Sequence, residues 1–146
     1  MRDFYDTSIF VAAFREDHPD HEASIRLFSK ADKRHCACAV HSLAEVYAVM
    51  SVLPVRPPIP PQQVLLFIQE IRSRCTVIAL DENEYFETIQ DTAEHGFVSG
   101  RVYDALLLRC AVKSKAKTIY TWNLKPFHAL APELATRIRT PQSEMP

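Results

Sequence analysis

The chain has 146 residues, 47% hydrophobic and 24% charged, with two glycines and a net charge of −1 from 17 basic and 18 acidic side chains. That length and apolar content support one compact core, and the composition excludes both a disordered chain and a glycine-cradled phosphate loop. The balanced charge gives no global positive field, so a polyanionic partner would need a local basic patch or bound cations.

Residues 2–6 read as a short strand and 8–14 as a short helix. The opening run "MRDFYDTSIFVAAFRED" carries acids on both sides of a short apolar stretch and lacks the basic start and small-residue cleavage site of a secretory signal. No apolar stretch approaches the length of a membrane span. A soluble, cytoplasmic protein is expected. "HPDHEASIRLFSKAD" places Ala23, Ile25, Leu27 and Phe28 near one helical face. "HCACAV" reads as a buried strand, with side chains 36 and 38 on one face. Cys36, Cys38, Cys75 and Cys110 contain no CxxC pair, which fits buried free thiols in a reducing compartment.

"HSLAEVYAVMSVL" follows as a helix, with Ser42 as N-cap and Glu45 completing a capping box. The proline-rich stretch 54–61 breaks the chain but is too short for a domain linker. A helix over 62–74, the β-branched strand "CTVIAL" and an acidic amphipathic helix over 82–95 come next. Gly96 and Gly100 bracket a turn before a helix over 101–114, and "KTIYTW" is the next strand. "TRIRT" is an edge-strand candidate, and residues 141–146 read as a C-terminal tail on a single domain over 1–140.

Strands alternating with helices are the signature of βαβ units, hence of a parallel sheet covered on both faces. Ligands of such sheets gather outside the carboxyl ends of the strands. Asp6 ends the first strand and Asn123 follows "TIYTW". Glu45 and Asp104 fall in the first turns of their helices, so all four map to one sheet edge. Each has a local explanation: Asp6 as a helix N-cap, Glu45 as a capping-box partner, Asp104 as a charge favoured by a helix dipole. Together, three carboxylates and an amide repel unless a cation lies among them. Oxygen ligands without His or Cys select Mg²⁺ or Mn²⁺. Such an ion activates water and offsets charge on a phosphodiester.

Around this set, the hydroxyls of Thr7, Ser8 and Thr121 are candidates for contact with water or phosphate, or for helix capping. Arg101, one turn before Asp104, suits a phosphate or a surface ion pair. Lys113, Lys115 and Lys117 suit a helix C-terminus. His18 and His21 have the spacing of a metal pair, but Pro19 and the absence of a third soft ligand favour a surface helix start. Trp122 is expected in the core, while Tyr103 is open to stacking on a base.

The same residues carry a family resemblance. "DFYDTSIFVAAF", "SLAEVYAVMSVLP", "GRVYDALLLRCA" and "TIYTWNLKPF" resemble, in order and spacing, the four motifs of PIN-domain proteins, and the proline-rich insert resembles that of bacterial VapC-type toxins. The resemblance implies a three-layer α/β/α sandwich around a mainly parallel sheet of about five strands. It also implies a Mg²⁺- or Mn²⁺-dependent endoribonuclease acting on RNA, restrained by a cognate antitoxin in a homodimer-based complex. Asp6, Glu45 and Asp104 would be its acidic metal ligands. Asn123 stands where many members have a further Asp and would supply a neutral oxygen. Val11, Phe14, Leu27 and Phe28 are candidates for the antitoxin groove or for core burial. A non-catalytic PIN-like RNA- or protein-binding module is the alternative from another class, and a hydrolase of small phosphorylated molecules a third reading.

Overall fold

Side-chain alternation along short strands divides the interior of the protein into two halves. The computed structural model describes residues 1–146. Its first half runs β1 (Asp3–Tyr5), α1 (Thr7–Phe14), α2 (His21–Ser29), β2 (Cys36–Ala39), α3 (Val40–Met50), α4 (Pro61–Arg74) and β3 (Thr76–Ile78). Then come α5 (Glu82–Glu94), α6 (Arg101–Ser114), β4 (Thr118–Tyr120), α7 (Leu124–Leu130) and β5 (Ile138–Arg139). The five strands form one sheet in the order β3-β2-β1-β4-β5, and every pairing is parallel.

Tyr5, Cys36, Cys38 and Tyr120 face a core built with α1, α2, α3 and α4, through Ile9, Phe10, Phe28, Val46, Met50 and Ile71. Their strand neighbours Phe4, Ala37, Ala39 and Ile119 face the other way, onto Leu107, Leu108 and Ala111 of α6 and Phe127 of α7. Period-two alternation in a sheet covered on both sides requires apolar residues at every position, and "CACA", buried throughout, meets that requirement. The expected α/β/α sandwich is therefore present. All four cysteines are buried and free. No helix is long and apolar enough to cross a membrane.

Several local expectations change. Ser42 does not cap α3, which begins at Val40 directly after β2 with no side-chain cap; Ser42 is fully buried and Glu45 lies in the second turn. The strand runs into the helix without a loop, so no residue is left to act as a polar cap. A capping box does occur at α5: the Glu84 amide donates to Asp81 Oδ1 at 2.8 Å and the Asp81 amide to Glu84 Oε1 at 3.0 Å. Helix α7 went unread because it is short and contains Pro126. In a first turn that residue costs no helical hydrogen bond.

Lys113 reaches neighbouring elements rather than its own helix terminus, donating to Ala79 O at 2.9 Å and Glu84 Oε1 at 2.6 Å. With the Arg109–Glu87 pair at 2.9 Å it ties α5 to α6. Leu27 and Phe28 belong to the core; Phe14 stacks on Phe67 with centroids 4.7 Å apart, and Val11 packs against the same cluster. These four residues are thus not an open groove. His18 and His21 sit at the start of α2, where Nδ1 of His18 accepts from the Asp20 amide and Nδ1 of His21 lies 3.0 Å from Ala12 O. Trp122 packs against the first core, its Nε1 donating to Ser24 Oγ at 2.8 Å. Residues Pro141–Glu144 form a 3₁₀ turn in which Pro141 is buried and Glu144 accepts from the Tyr120 hydroxyl at 2.8 Å.

Phe10 is fully buried, edge-to-face with Tyr5 and Phe28 at centroid distances of 6.1 and 5.7 Å. Phe10→Ala is expected to lower unfolding free energy by about 3–5 kcal/mol, read from urea denaturation with an unchanged slope. A loss under about 1 kcal/mol would mean that the core collapses to fill the space.

Candidate active site at the carboxyl edge of the sheet

Strand β1 is central, with β2 and β3 to one side and β4 and β5 to the other. The chain leaves β1 toward β2 and later returns to β4. The carboxyl ends of β1 and β4 therefore flank the reversal of strand order where open α/β sheets bind ligands. Tyr5 pairs with Tyr120 in register, and the Asp6 amide donates to Tyr120 O at 2.9 Å. The next residues, Asp6 and Thr121, are thereby held side by side although 115 positions separate them.

Asp6 is 2% exposed. Its Oδ2 accepts from Thr121 Oγ1 at 2.8 Å, Ser8 Oγ at 2.7 Å and the Ser8 amide at 3.4 Å. It therefore caps α1, while Oδ1 takes part in none of these three bonds. Burial pushes the Asp6 carboxyl above its ordinary value, and the Ser8 and Thr121 hydroxyls work against that push. Ser8 Oγ also accepts from the Trp122 amide, and Thr121 Oγ1 from the Asn123 amide, so the loop after β4 is knitted to the start of α1.

Glu45 reaches the same edge from α3. Thr7 Oγ1 lies 3.0 Å from Glu45 Oε1 and 2.8 Å from Ser42 Oγ. One hydroxyl proton serves one acceptor; donation to the carboxylate, with Ser42 donating to Thr7, satisfies all three groups. Nε2 of His41, one turn earlier, is 3.6 Å from the same Oε1. Burial raises the Glu45 carboxyl, Thr7 and His41 oppose the rise, and the charge of Asp6 adds to it.

Asp104 lies in the first turn of α6. Its carboxyl is pushed up to about 6 by burial, then by Asp6 and then by Glu45, with Arg101 pulling the other way. Arg101 makes no ion pair within 4.0 Å and Asn123 makes no side-chain cap of α7. Asp6, Glu45 and Asp104 thus lie within electrostatic reach of one another. The only basic group within 4.0 Å of any of their oxygens is His41.

All the convergent donors are oxygens, the set that suits a hard divalent ion. No three Asp, Glu, His or Cys side chains are close enough to enclose an ion by themselves. Mg²⁺ is held in that open manner, through one or two carboxylates with water completing its shell. Asp6, Glu45 and Asp104 fit such an ion on charge and donor type.

Two features escaped sequence reasoning. Thr121 joins Ser8 in donating to Asp6, a contact that the chain order does not reveal because strand adjacency is invisible in it. His41 is the second, and its i, i+4 spacing to Glu45 is the sequence signal of their shared helix face. Its ring stacks on Tyr103, with centroids 5.3 Å apart and planes at 9°.

Residues 4–131 match the family profile of the PIN domain. The chain is 33% identical over 114 residues to Ribonuclease VapC40 of Mycobacterium tuberculosis, covering 78% of this chain and 81% of the relative. Among solved structures, Mycobacterium tuberculosis VapC20, described as a sarcin-ricin loop cleaving toxin, superposes with a TM-score of 0.70 at 16% identity, over 87% of this chain and 94% of that one. VapBC2 from Rickettsia felis, solved with a DNA fragment from their promoter, gives a TM-score of 0.63 at 21% identity, over 96% of this chain and 98% of that one. At such identities the structural likeness is one of fold.

The sign of the Asp104 shift makes a prediction. A carboxyl raised above its unfolded value binds more protons in the native state, so its contribution to stability declines as pH rises from the ordinary carboxylate range through about 6. In EDTA, Asp104→Asn should flatten this decline and stabilise the protein at pH 7 by about 1 kcal/mol, after discounting for solvent screening. Denaturation curves at pH 5 and pH 7 measure both effects. Parallel pH profiles for the two proteins would detach Asp104 from the carboxylate cluster.

Proposed function

The chain belongs to the PIN-domain family, and from that premise we propose that it is a Mg²⁺- or Mn²⁺-dependent endoribonuclease, the toxin of a VapBC-type pair. The observation that carries this reading is the mutual electrostatic influence of Asp6, Glu45 and Asp104, brought from three distant segments without a lysine or arginine paired to any of them. A fold has no structural use for such repulsion. The ribonuclease name of the 33%-identical relative supports the choice of RNA as substrate.

In this reading Asp6, Glu45 and Asp104 hold the ion and Asn123 offers a neutral oxygen or orients water. When bound, a divalent ion lowers the pKa of water and offsets charge growing on the phosphate. The hydroxyls of Ser8 and Thr121 hold Asp6 by Oδ2, which leaves Oδ1 for the crevice. Thr7 fixes Glu45 by Oε1. Arg101, half-buried one turn before Asp104, suits a phosphate oxygen of the backbone. Water attacking phosphorus and displacing the 3′ oxygen leaves a 5′-phosphate and a 3′-hydroxyl, whereas attack by the RNA's own 2′-hydroxyl would leave a cyclic phosphate.

A cognate antitoxin and a second copy of the chain are the proposed partners, in the cytoplasm. Solved structures of the same fold include VapBC-1 of nontypeable Haemophilus influenzae and a toxin–antitoxin complex from Klebsiella pneumoniae. Exposed apolar side chains support protein partners here: Val52, Leu65 and Leu66 on the α3–α4 side, and Tyr85, Phe86 and Ile89 on α5.

The test is cleavage of total bacterial RNA by the purified, antitoxin-free protein in Mg²⁺ or Mn²⁺, with mapping of the cut ends. Discrete cuts with 5′-phosphate ends are expected, abolished by EDTA and by Asp104→Asn. Thr121→Val, which keeps the side-chain shape but removes the donor to Asp6, should slow cleavage by about 10- to 100-fold. Cyclic-phosphate ends, or full activity in EDTA, would overturn the mechanism. An intact RNA pool beside a metal-binding wild type would favour a binding module.

A further inference from the structure

Next to the carboxylates lies an aromatic pair that the cleavage chemistry does not use. His41 and Tyr103 stack nearly parallel, centroids 5.3 Å apart and planes at 9°. They join α3 to α6, the two helices that carry Glu45 and Asp104. His41 is one turn before Glu45, and Tyr103 immediately precedes Asp104. Tyr103 is 49% exposed and neither ring belongs to either hydrophobic core. The Tyr103 hydroxyl donates no hydrogen bond to the protein, in contrast to Tyr5 and Tyr120. Beside the Tyr103 ring stands Gly100, where a Cβ would lie 3.9 Å from Cδ2. A larger residue there would begin to cover the ring, and glycine leaves it bare.

The pair belongs to neither core, His41 keeps one edge toward Glu45, and the Tyr103 hydroxyl has no protein partner, so the half-exposed face of Tyr103 is open to a flat ligand. The geometry points to the His41–Tyr103 pair as a stacking platform for an unpaired nucleobase of single-stranded RNA, positioned beside the carboxylate crevice. This assignment rests on the ribonuclease reading, which supplies the substrate class. The platform reads the π-face of a base rather than its edges, so it tolerates sequence but rejects a base held inside a duplex. Its role is to position the RNA backbone next to Asp6, Glu45 and Asp104. Tyr103 and His41 are binding residues in this account and take no part in proton transfer.

The experiment uses the full chain in EDTA and a mixed-sequence single-stranded RNA dodecamer carrying 2-aminopurine, whose fluorescence is quenched by stacking. Titration of the wild type is expected to quench the probe. Tyr103→Ala should weaken the dissociation constant by about 5- to 150-fold, Tyr103→Phe should retain wild-type binding and quenching, and His41→Ala should fall between them. The same dodecamer annealed to its complement should show no effect of Tyr103→Ala. Unchanged far-UV circular dichroism and melting of the variants establish that they are folded. Quenching that is absent in the wild type, or unaltered in Tyr103→Ala, overturns the platform. Cleavage of total RNA by the wild type is scored separately: its presence alongside unaltered Tyr103→Ala binding removes the platform and leaves the ribonuclease standing, whereas its absence removes the ribonuclease reading.

Discussion

The 2.8 Å hydrogen bond from Thr121 Oγ1 to Asp6 Oδ2 is the contact on which the candidate site depends. It exists because β1 and β4 are parallel neighbours in register, so the residues that follow Tyr5 and Tyr120 emerge together. A buried carboxylate with no basic partner would be expelled or protonated unless donors stabilised its charge. Thr121 and Ser8 are those donors. They also fix which oxygen of Asp6 is occupied, and through the Trp122 and Asn123 amides they fasten the loop after β4. The helix cap, the strand pairing and the placement of the acidic group are one network.

Around that network the protein accepts electrostatic tension. Asp6, Glu45 and Asp104 each raise or are raised by a neighbour of the same sign, while burial removes the water that would screen them. Compensation comes from hydroxyls, which stabilise a carboxylate without cancelling its charge. Thr7 holds Glu45 in this way, supported by the buried Ser42. A lysine in either place would relieve the repulsion. The two apolar layers on either side of the sheet carry the fold, with every residue of β1 and β2 buried.

Much of this was legible in the chain because the signals are local or periodic. Continuous apolar strands such as "CACA", separated by amphipathic helices, admit few arrangements other than a parallel sheet covered on both sides. The topological rule then places residues after each strand on one edge. That is why Asp6, Glu45, Asp104 and Asn123 could be grouped while more than a hundred positions apart. The errors have equally local causes. Ser42 followed by Glu45 has the form of a capping box, but β2 enters α3 without a loop and the serine is buried instead. Asp81 and Glu84 carry the box in fact, and Pro126 concealed the short helix α7.

Sequence by itself determined the sheet type, and it grouped the acidic residues of the candidate site on one edge, because these follow from side-chain period, hydropathy and residue chemistry. Only tertiary structure decided that Thr121 donates to Asp6, that Thr7 links Ser42 to Glu45, and that His41 lies flat on Tyr103. Each of these contacts joins segments whose separation along the chain carries no trace of their proximity. Strand order and register set the first of them, and the packing of α1, α3 and α6 around the sheet sets the others.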